Sequence, residues 1–255
     1  MAGKSERIHI KTVIGVVLAG LCMLPLSAMA EDSDAWSYSV TPYLWAIGMS
    51  GQTGPKGFEA NVDMNFGDVL DNLDGAIIIN MEASKGSWTY WLDYNRMNLV
   101  NETEVLGGPS SITLELTQKL WEMVAAYQLG NSEGLQVFGG IRSVDVETLI
   151  HFQSNGPVGI DYRVRIGDSW VDPIVGIRGA WPLSGKWGFR ARADVGGFGV
   201  GSDFSYQLAA TVSYQFNDLT SLRFGYRYLD MDYDDNNFVL DMGVSGLMLG
   251  VGFDF

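Results

Sequence analysis

From Phe204 to Phe216 the chain alternates. Phe204, Tyr206, Leu208, Ala210, Val212, Tyr214 and Phe216 share one parity, and Ser205, Gln207, Ala209, Thr211, Ser213 and Gln215 share the other. A strand has a side-chain period of two, so this segment carries an apolar wall and a polar wall. The next segment repeats the design, setting Leu222, Phe224, Tyr226 and Tyr228 against Ser221, Arg223, Gly225 and Arg227. The preceding one sets Trp187, Phe189, Ala191, Ala193 and Val195 against Arg190, Arg192 and Asp194.

The same reading predicts about ten strands, within a range of 8–12: 36–49, 75–85, 87–100, 111–129, 134–150, 168–181, 187–197, 204–216, 220–232 and 240–255. Tight polar turns join alternate pairs at Lys85-Gly86-Ser87, Asn131-Ser132-Glu133-Gly134, Ser184-Gly185-Lys186 and Asn217-Asp218. The intervening connections, 51–74, 101–110, 151–168 and 230–238, are longer and more polar, with 197–203 the short exception. Short turns on one rim and long loops on the other, with an even strand count, describe a closed antiparallel transmembrane meander β-barrel. Trp36, Trp88, Trp181 and Trp187 near strand ends suit an interfacial aromatic girdle. A soluble sandwich also alternates, but its strands run about five or six residues. In lipid, closure satisfies every backbone donor and acceptor without an edge.

Composition adds location. Lys4, Arg7 and Lys11 precede an apolar run from Thr12 to Leu26, then Ala28-Met29-Ala30 and Glu31-Asp32. That is the order of a cleavable export segment, so the chain divides into residues 1–30, expected to be removed, and a barrel over 31–255. The apolar run is short for a spanning helix, and no later segment has the length for one. Cys22 follows Leu21, where a lipobox needs a small residue, and is expected to be discarded with the segment. Removing Lys4, Arg7, Lys11 and Glu6 leaves 13 basic and 29 acidic residues and no cysteine. Disulfide chemistry is then absent, and binding of nucleic acid by counterion release is excluded.

The chain ends Met248-Leu249-Gly250-Val251-Gly252-Phe253-Asp254-Phe255. Gly250, Phe253 and the terminal Phe255 resemble the C-terminal assembly signal of Gram-negative outer-membrane barrels. Further segments resemble one group of small outer-membrane barrels without an assigned activity. They are Thr41-Pro42-Tyr43-Leu44-Trp45, the stretch 66–74 with Asp68 and Leu70-Asp71-Asn72-Leu73, and Ser169-Trp170-Val171-Asp172-Pro173. The runs 194–203 and 225–230 complete the set. The resemblance implies fold and an outer-membrane location. It also implies outer-membrane lipids and the barrel-assembly machinery as partners, the latter through the last strand. It brings no mechanism.

With the polar wall inside, the lumen gains Glu82, Asp93, Glu122 and Asp194, together with Arg142, Arg178, Arg190, Arg192, Arg223 and Arg227. Alternation changes phase near Lys119, which predicts a bulge there and leaves the side of Glu122 least determined. Arg223 and Arg227 are expected to pair with carboxylates, Asp194 first, with Glu122 and Asp93 as alternatives. Guanidinium forks suit such pairing. The charges either staple a filled lumen or form a constriction that selects a small solute.

The first long connection is less polar than a free loop. Phe58, Ala60, Val62, Met64 and Phe66 alternate with Glu59, Asn61, Asp63 and Asn65, and 67–74 reads as a short helix. It forms an extra hairpin strand above the membrane, or a helical plug or lid. Residue 151 is the one histidine beyond the export segment, near Asp145, Glu147 and Ser154. A base needs an oriented partner and a nucleophile, which nearness in sequence does not supply. Asp230, Asp232, Asp234 and Asp235 lack the spacing and glycine of a calcium loop. The glycines of 196–201 resemble a phosphate-binding run only superficially and suit a tight turn. Neither a cofactor nor a metal is expected. The leading expectation is a non-enzymatic barrel, structural or forming a narrow pore. A surface barrel binding lipid or another ligand is the second, and a hydrolase around His151 the third.

Overall fold

The computed structural model describes residues 35–105, 110–130, 134–154, 159–235 and 237–255. The expected export segment, with Cys22, and turn residues 131–133 lie outside the described residues. The elements are β1 (Ser37–Pro55), β2 (Ala60–Met64), α1 (Phe66–Asn72), β3 (Leu73–Lys85), β4 (Trp88–Val105), β5 (Ser110–Gln128) and β6 (Leu135–Ser154). They continue as β7 (Ile160–Pro182), β8 (Trp187–Gly197), β9 (Phe204–Asn217), β10 (Thr220–Asp234) and β11 (Phe238–Asp254). Each strand from β3 to β11 pairs antiparallel with the next, and β11 returns to β1 from Ser39↔Asp254 to Pro55↔Phe238. The result is a closed ten-strand meander, with β2 as a short addition beside β1. β1 begins and β11 ends at the short-turn rim, where Ser37 faces Ser84 and Ser39 faces Asp254.

The outer wall there is apolar because strand parity puts Leu208, Phe224, Ile177 and Leu249 outside, each about half exposed. Trp36, Trp88 and Trp187 stand at the short-turn rim against Tyr38, Tyr127 and Tyr214. The apolar band ends where outward-facing charges begin, at Arg96, Lys119, Asp145 and Asp230, eight to ten residues up their strands. At ~3.3 Å per residue and a tilt of about 40°, that is roughly 20–25 Å, close to the height of a membrane-facing band.

Two expectations need correction. The bulge expected near Lys119 is absent, since the β4–β5 and β5–β6 registers run unbroken through it. What changes there is chemistry. Below Lys119, β5 turns Trp121 and Met123 outward and Leu120 and Glu122 inward; above it, Glu115 and Thr117 face outward and Leu114 and Leu116 face inward. The barrel wall also continues above the band: β4 to β7 absorb most of the segments 101–110 and 151–168. Those segments read as loops because their outer face is polar, as Glu147, Asp161, Arg163 and Arg165 illustrate.

The first long connection contains both expected elements, the hairpin strand β2 and the helix α1. Asn65 caps α1 by accepting from the Gly67 and Asp68 amides, while Asp68 accepts from the Asn65 amide. Such a reciprocal cap starts a helix at a defined residue. Val69 is the buried residue of α1 and packs among the interior side chains.

Candidate functional site

The interior is built in layers, and each layer follows from which residue the strand parity turns inward. At the short-turn mouth, Arg178 donates from Nη1 and Nη2 to the two Glu82 oxygens at 2.8 and 3.0 Å. Its guanidinium lies 4.6 Å from the Trp91 ring centroid. Arg223 donates to Asp254 at 3.0 Å, to Thr41 at 2.6 Å and to Ser39 at 3.0 Å. Gly252 faces the same guanidinium, and a Cβ there would sit 2.5 Å from Arg223 Nε. Arg190 lines the same mouth and is exposed, without a carboxylate in ion-pair reach among the described residues.

Above the mouth is a buried network of three arginines and three acids. Arg142 Nε donates to Glu122 at 2.8 Å, and its Nη2 to Asp194 at 2.7 Å, with all three side chains fully buried. Arg192 donates to the other oxygens of the same acids, at 2.7 Å to Glu122 and 2.8 Å to Asp194. Arg227 reaches Asp93 at 3.1 Å and Glu122 at 3.4 Å, and stacks 4.7 Å from the Trp45 centroid. Tyr43 donates to Asp93 at 3.0 Å, and a Cβ at Gly250 would approach Tyr43 Cβ to 2.7 Å. A small residue at 250 therefore leaves room for the tyrosine. Charges so enclosed need every partner, because an unpaired one is costly in low dielectric.

All ten lumen residues named from the sequence point inward, but the pairing differs from expectation. Asp194 is held by Arg142 and Arg192, and it meets Arg227 only through Gln207. The Gln207 carbonyl accepts from Arg227 Nε at 2.8 Å, while its amide donates to Asp194 at 3.4 Å. Closure of the barrel brings β4 and β5 across to β10, so Asp93 and Glu122 become the direct partners. Sequence reasoning also missed Tyr43, Gln207 and Asp254. Each has inward parity in its strand, and that was the available signal.

Above the network the interior turns apolar. Ile47, Leu120, Val144 and Leu229 are buried together, with Trp170 stacked on Tyr233 at 3.9 Å between centroids. Over this floor lies a chamber of about 530 Å³ toward the long-loop end, walled by Met49, Met64, Leu116, Val146, Met231 and Leu240. Its upper edge is the β1–β2 hairpin tip, where Phe58 is 84% exposed. Lys56 ties that tip to β10 through a 2.6 Å bond to Asp234. The bond to Asp234 raises the Lys56 ammonium above its ordinary range, and the Gly57 amide lowers the Glu59 carboxyl below its own. Both groups therefore stay charged at the lip.

The remaining candidate chemistry is not assembled. His151 faces the outside of β6, and its Nε2 lies 2.9 Å from Asp161 Oδ1. Ser154 instead pairs with Ser110 at 3.0 Å. Asp230 accepts from the Tyr228 hydroxyl at 2.7 Å, and Asp234 serves Lys56. Among the described residues no group of three His, Cys, Asp or Glu is placed to hold a metal ion. The glycine run is a tight turn: Gly197, Phe198 and Gly199 have positive φ, and Ser202 donates to Asp172 twice, at 2.6 Å each.

No protein-family model matches the sequence, and no curated protein does. Solved structures do match. The outer membrane protease OmpT from Escherichia coli superposes with a TM-score of 0.55 at 8% identity, over 89% of this chain and 99% of that one. The translocator domain of the autotransporter NalP from Neisseria meningitidis gives 0.38 at 12% identity, covering 96% and 94%. Ail, the attachment invasion locus protein of Yersinia pestis, gives 0.37 at 11%, covering 86% and 98%. The likeness to OmpT at this identity establishes a shared fold, that of a Gram-negative outer-membrane β-barrel.

Proposed function

We propose that the protein is a non-enzymatic barrel of the Gram-negative outer membrane that binds one small apolar molecule in the upper chamber and is closed to solute flow below it. The observation that carries this reading is the apolar chamber standing over a sealed, charge-paired layer. Barrel interiors that hold water or pass solutes are lined with polar groups. An interior that turns Leu114, Leu116, Ile150 and Leu240 inward spends apolar surface where an aqueous pore has no use for it. The volume falls within the ~300–1,000 Å³ of small-molecule sites, and Gln118, Asn72 and Asn101 supply a few polar groups for orientation. Of the sequence-based expectations, ligand binding is thus favoured over the narrow pore.

Export by residues 1–30, insertion among outer-membrane lipids and recognition of Gly250, Phe253 and Phe255 by the assembly machinery belong to the same proposal. N-terminal sequencing of envelope material is expected to begin at Glu31. The binding reading is tested by titrating the refolded barrel with the apolar dye 1-N-phenylnaphthylamine. Saturable fluorescence that is lost in Leu116→Glu supports it. A dye signal indifferent to chamber substitutions, together with steady conductance in planar bilayers, would return the pore to first place.

A further inference from the structure

The barrel wall is not continuous. β1 pairs with β3 from Ser37↔Ser84 to Pro42↔Ile79, and its pairing on that side resumes only with β2, at Met49↔Met64. Residues 43–48 of β1 and 73–78 of β3 have no ladder partner on the sides that face each other, although β1 stays paired to β11 across this stretch and β3 to β4 at every residue but Asp74. Tyr38 and Phe255 exchange both backbone hydrogen bonds, at 2.7 and 2.9 Å, so even-numbered residues of β1 bond to β11. The odd-numbered ones, Tyr43, Trp45 and Ile47, then aim their amides into the gap. In hydrocarbon such groups are expensive to leave unpaired, so a fold that keeps them so is unusual.

The gap lies in the upper half of the apolar band, six to eleven residues above the start of β1. Exposed apolar side chains flank it outside: Leu44 and Ile77 on the two strands, Phe66 and Leu70 on α1 above. Behind it is a small cavity of about 30 Å³ between Trp45, Ile47, Ile78 and Met97. Gln118 lines both this cavity and the chamber. The way down from the chamber meets the charge network, whereas the way sideways is mainly apolar, with Asn95, Arg96 and Gln118 among its lining.

We propose that the β1–β3 gap, with α1 as its lintel, is a lateral passage by which an apolar molecule moves between the chamber and the outer leaflet of the membrane. The proposal rests on the chamber being a binding site. It commits the ligand to one that partitions into lipid: a hydrocarbon, or an acyl chain with a small head.

The experiment loads the full barrel, reconstituted in phospholipid vesicles, with 1-N-phenylnaphthylamine already dissolved in the bilayer. Leu44→Cys/Ile77→Cys extends the β1–β3 register across the gap in a mature chain that has no other cysteine. Ile78→Trp fills the inner mouth without a covalent bond and serves where the disulfide does not form. Oxidation of the pair, or the tryptophan, is expected to slow loading from the membrane at least tenfold and leave equilibrium affinity unchanged, with reduction restoring the rate. Loading at an unchanged rate in both variants overturns the passage while leaving the chamber intact. Absence of saturable binding in every variant, including dye added from water to the barrel in detergent, overturns the chamber reading and the passage with it. Hydrogen exchange gives a ligand-free check: the Tyr43, Trp45 and Ile47 amides should exchange at least a hundredfold faster than those of Leu44 and Ala46. Equal protection would show the gap to be closed.

Discussion

The lower and upper halves of the lumen share strands, register and parity, yet hold opposite chemistry. Near the short-turn end, Asp93, Glu122, Asp194, Arg142, Arg192 and Arg227 fill the inside and the outside is apolar. Above Lys119 the same β5 turns leucines inward and Glu115 and Thr117 outward. The surroundings explain the inversion. Where lipid is outside, apolar residues belong on the outer wall and polar residues are left to face one another. Where water is outside, the outer wall must be polar, and the apolar side chains gather inside.

The sharpest way to break this comparison is within the charged half. Arg142→Met leaves Glu122 and Asp194 buried short of a partner, and should cost about 3–5 kcal/mol in a reversible lipid-refolding assay. Adding Glu122→Gln should recover part of that loss; strictly additive costs would mean the charges act independently. Next is the outer wall. Leu208→Arg, facing lipid, should cost roughly 2–4 kcal/mol near the midplane, whereas Thr117→Arg above the charged belt should leave the refolding midpoint in place. Gln207→Arg is expected to be damaging although it lies on the polar parity, because Gln207 is 1% exposed and bridges Arg227 to Asp194. In the apolar half, Leu116→Glu should weaken dye binding at least tenfold with little change in refolding. The smallest effect belongs to the lip: Lys56→Ala should speed dye release and leave the fold unmoved, as read by stopped-flow fluorescence and denaturant titration.

Much of the fold was legible because lipid enforces a single rule, apolar outward. Leu222, Phe224, Tyr226 and Tyr228 fix the register of β10 without any knowledge of its neighbours, and Arg223 and Arg227 follow inward. Above the band that rule lapses. Leu114, Leu116 and Leu120 look like a change of phase at Lys119, since the sequence shows which residues are apolar but not where the lipid ends. Partner choice was harder still. Whether Arg227 meets Asp194 or Asp93 depends on strand tilt and on closure across the lumen, neither of which leaves a mark in local pattern. The chamber is assembled from inward residues of β1, β2, β4 to β7, β10 and β11; the alternation of 58–66 marked one wall of it in the sequence, but no local pattern showed that the other walls converge there.

The seam between β1 and β11 fixes when this protein can become complete. Tyr38 exchanges both of its backbone bonds with Phe255, the last residue of the chain. The rung that shuts the cylinder thus joins the first strand to the last, and forming so distant a contact is slow on entropic grounds. Before that rung forms, the sheet has two raw edges that can pair with another copy of the same sheet. Closure therefore does more than complete a wall: it removes the two edges on which these strands could join a neighbour's.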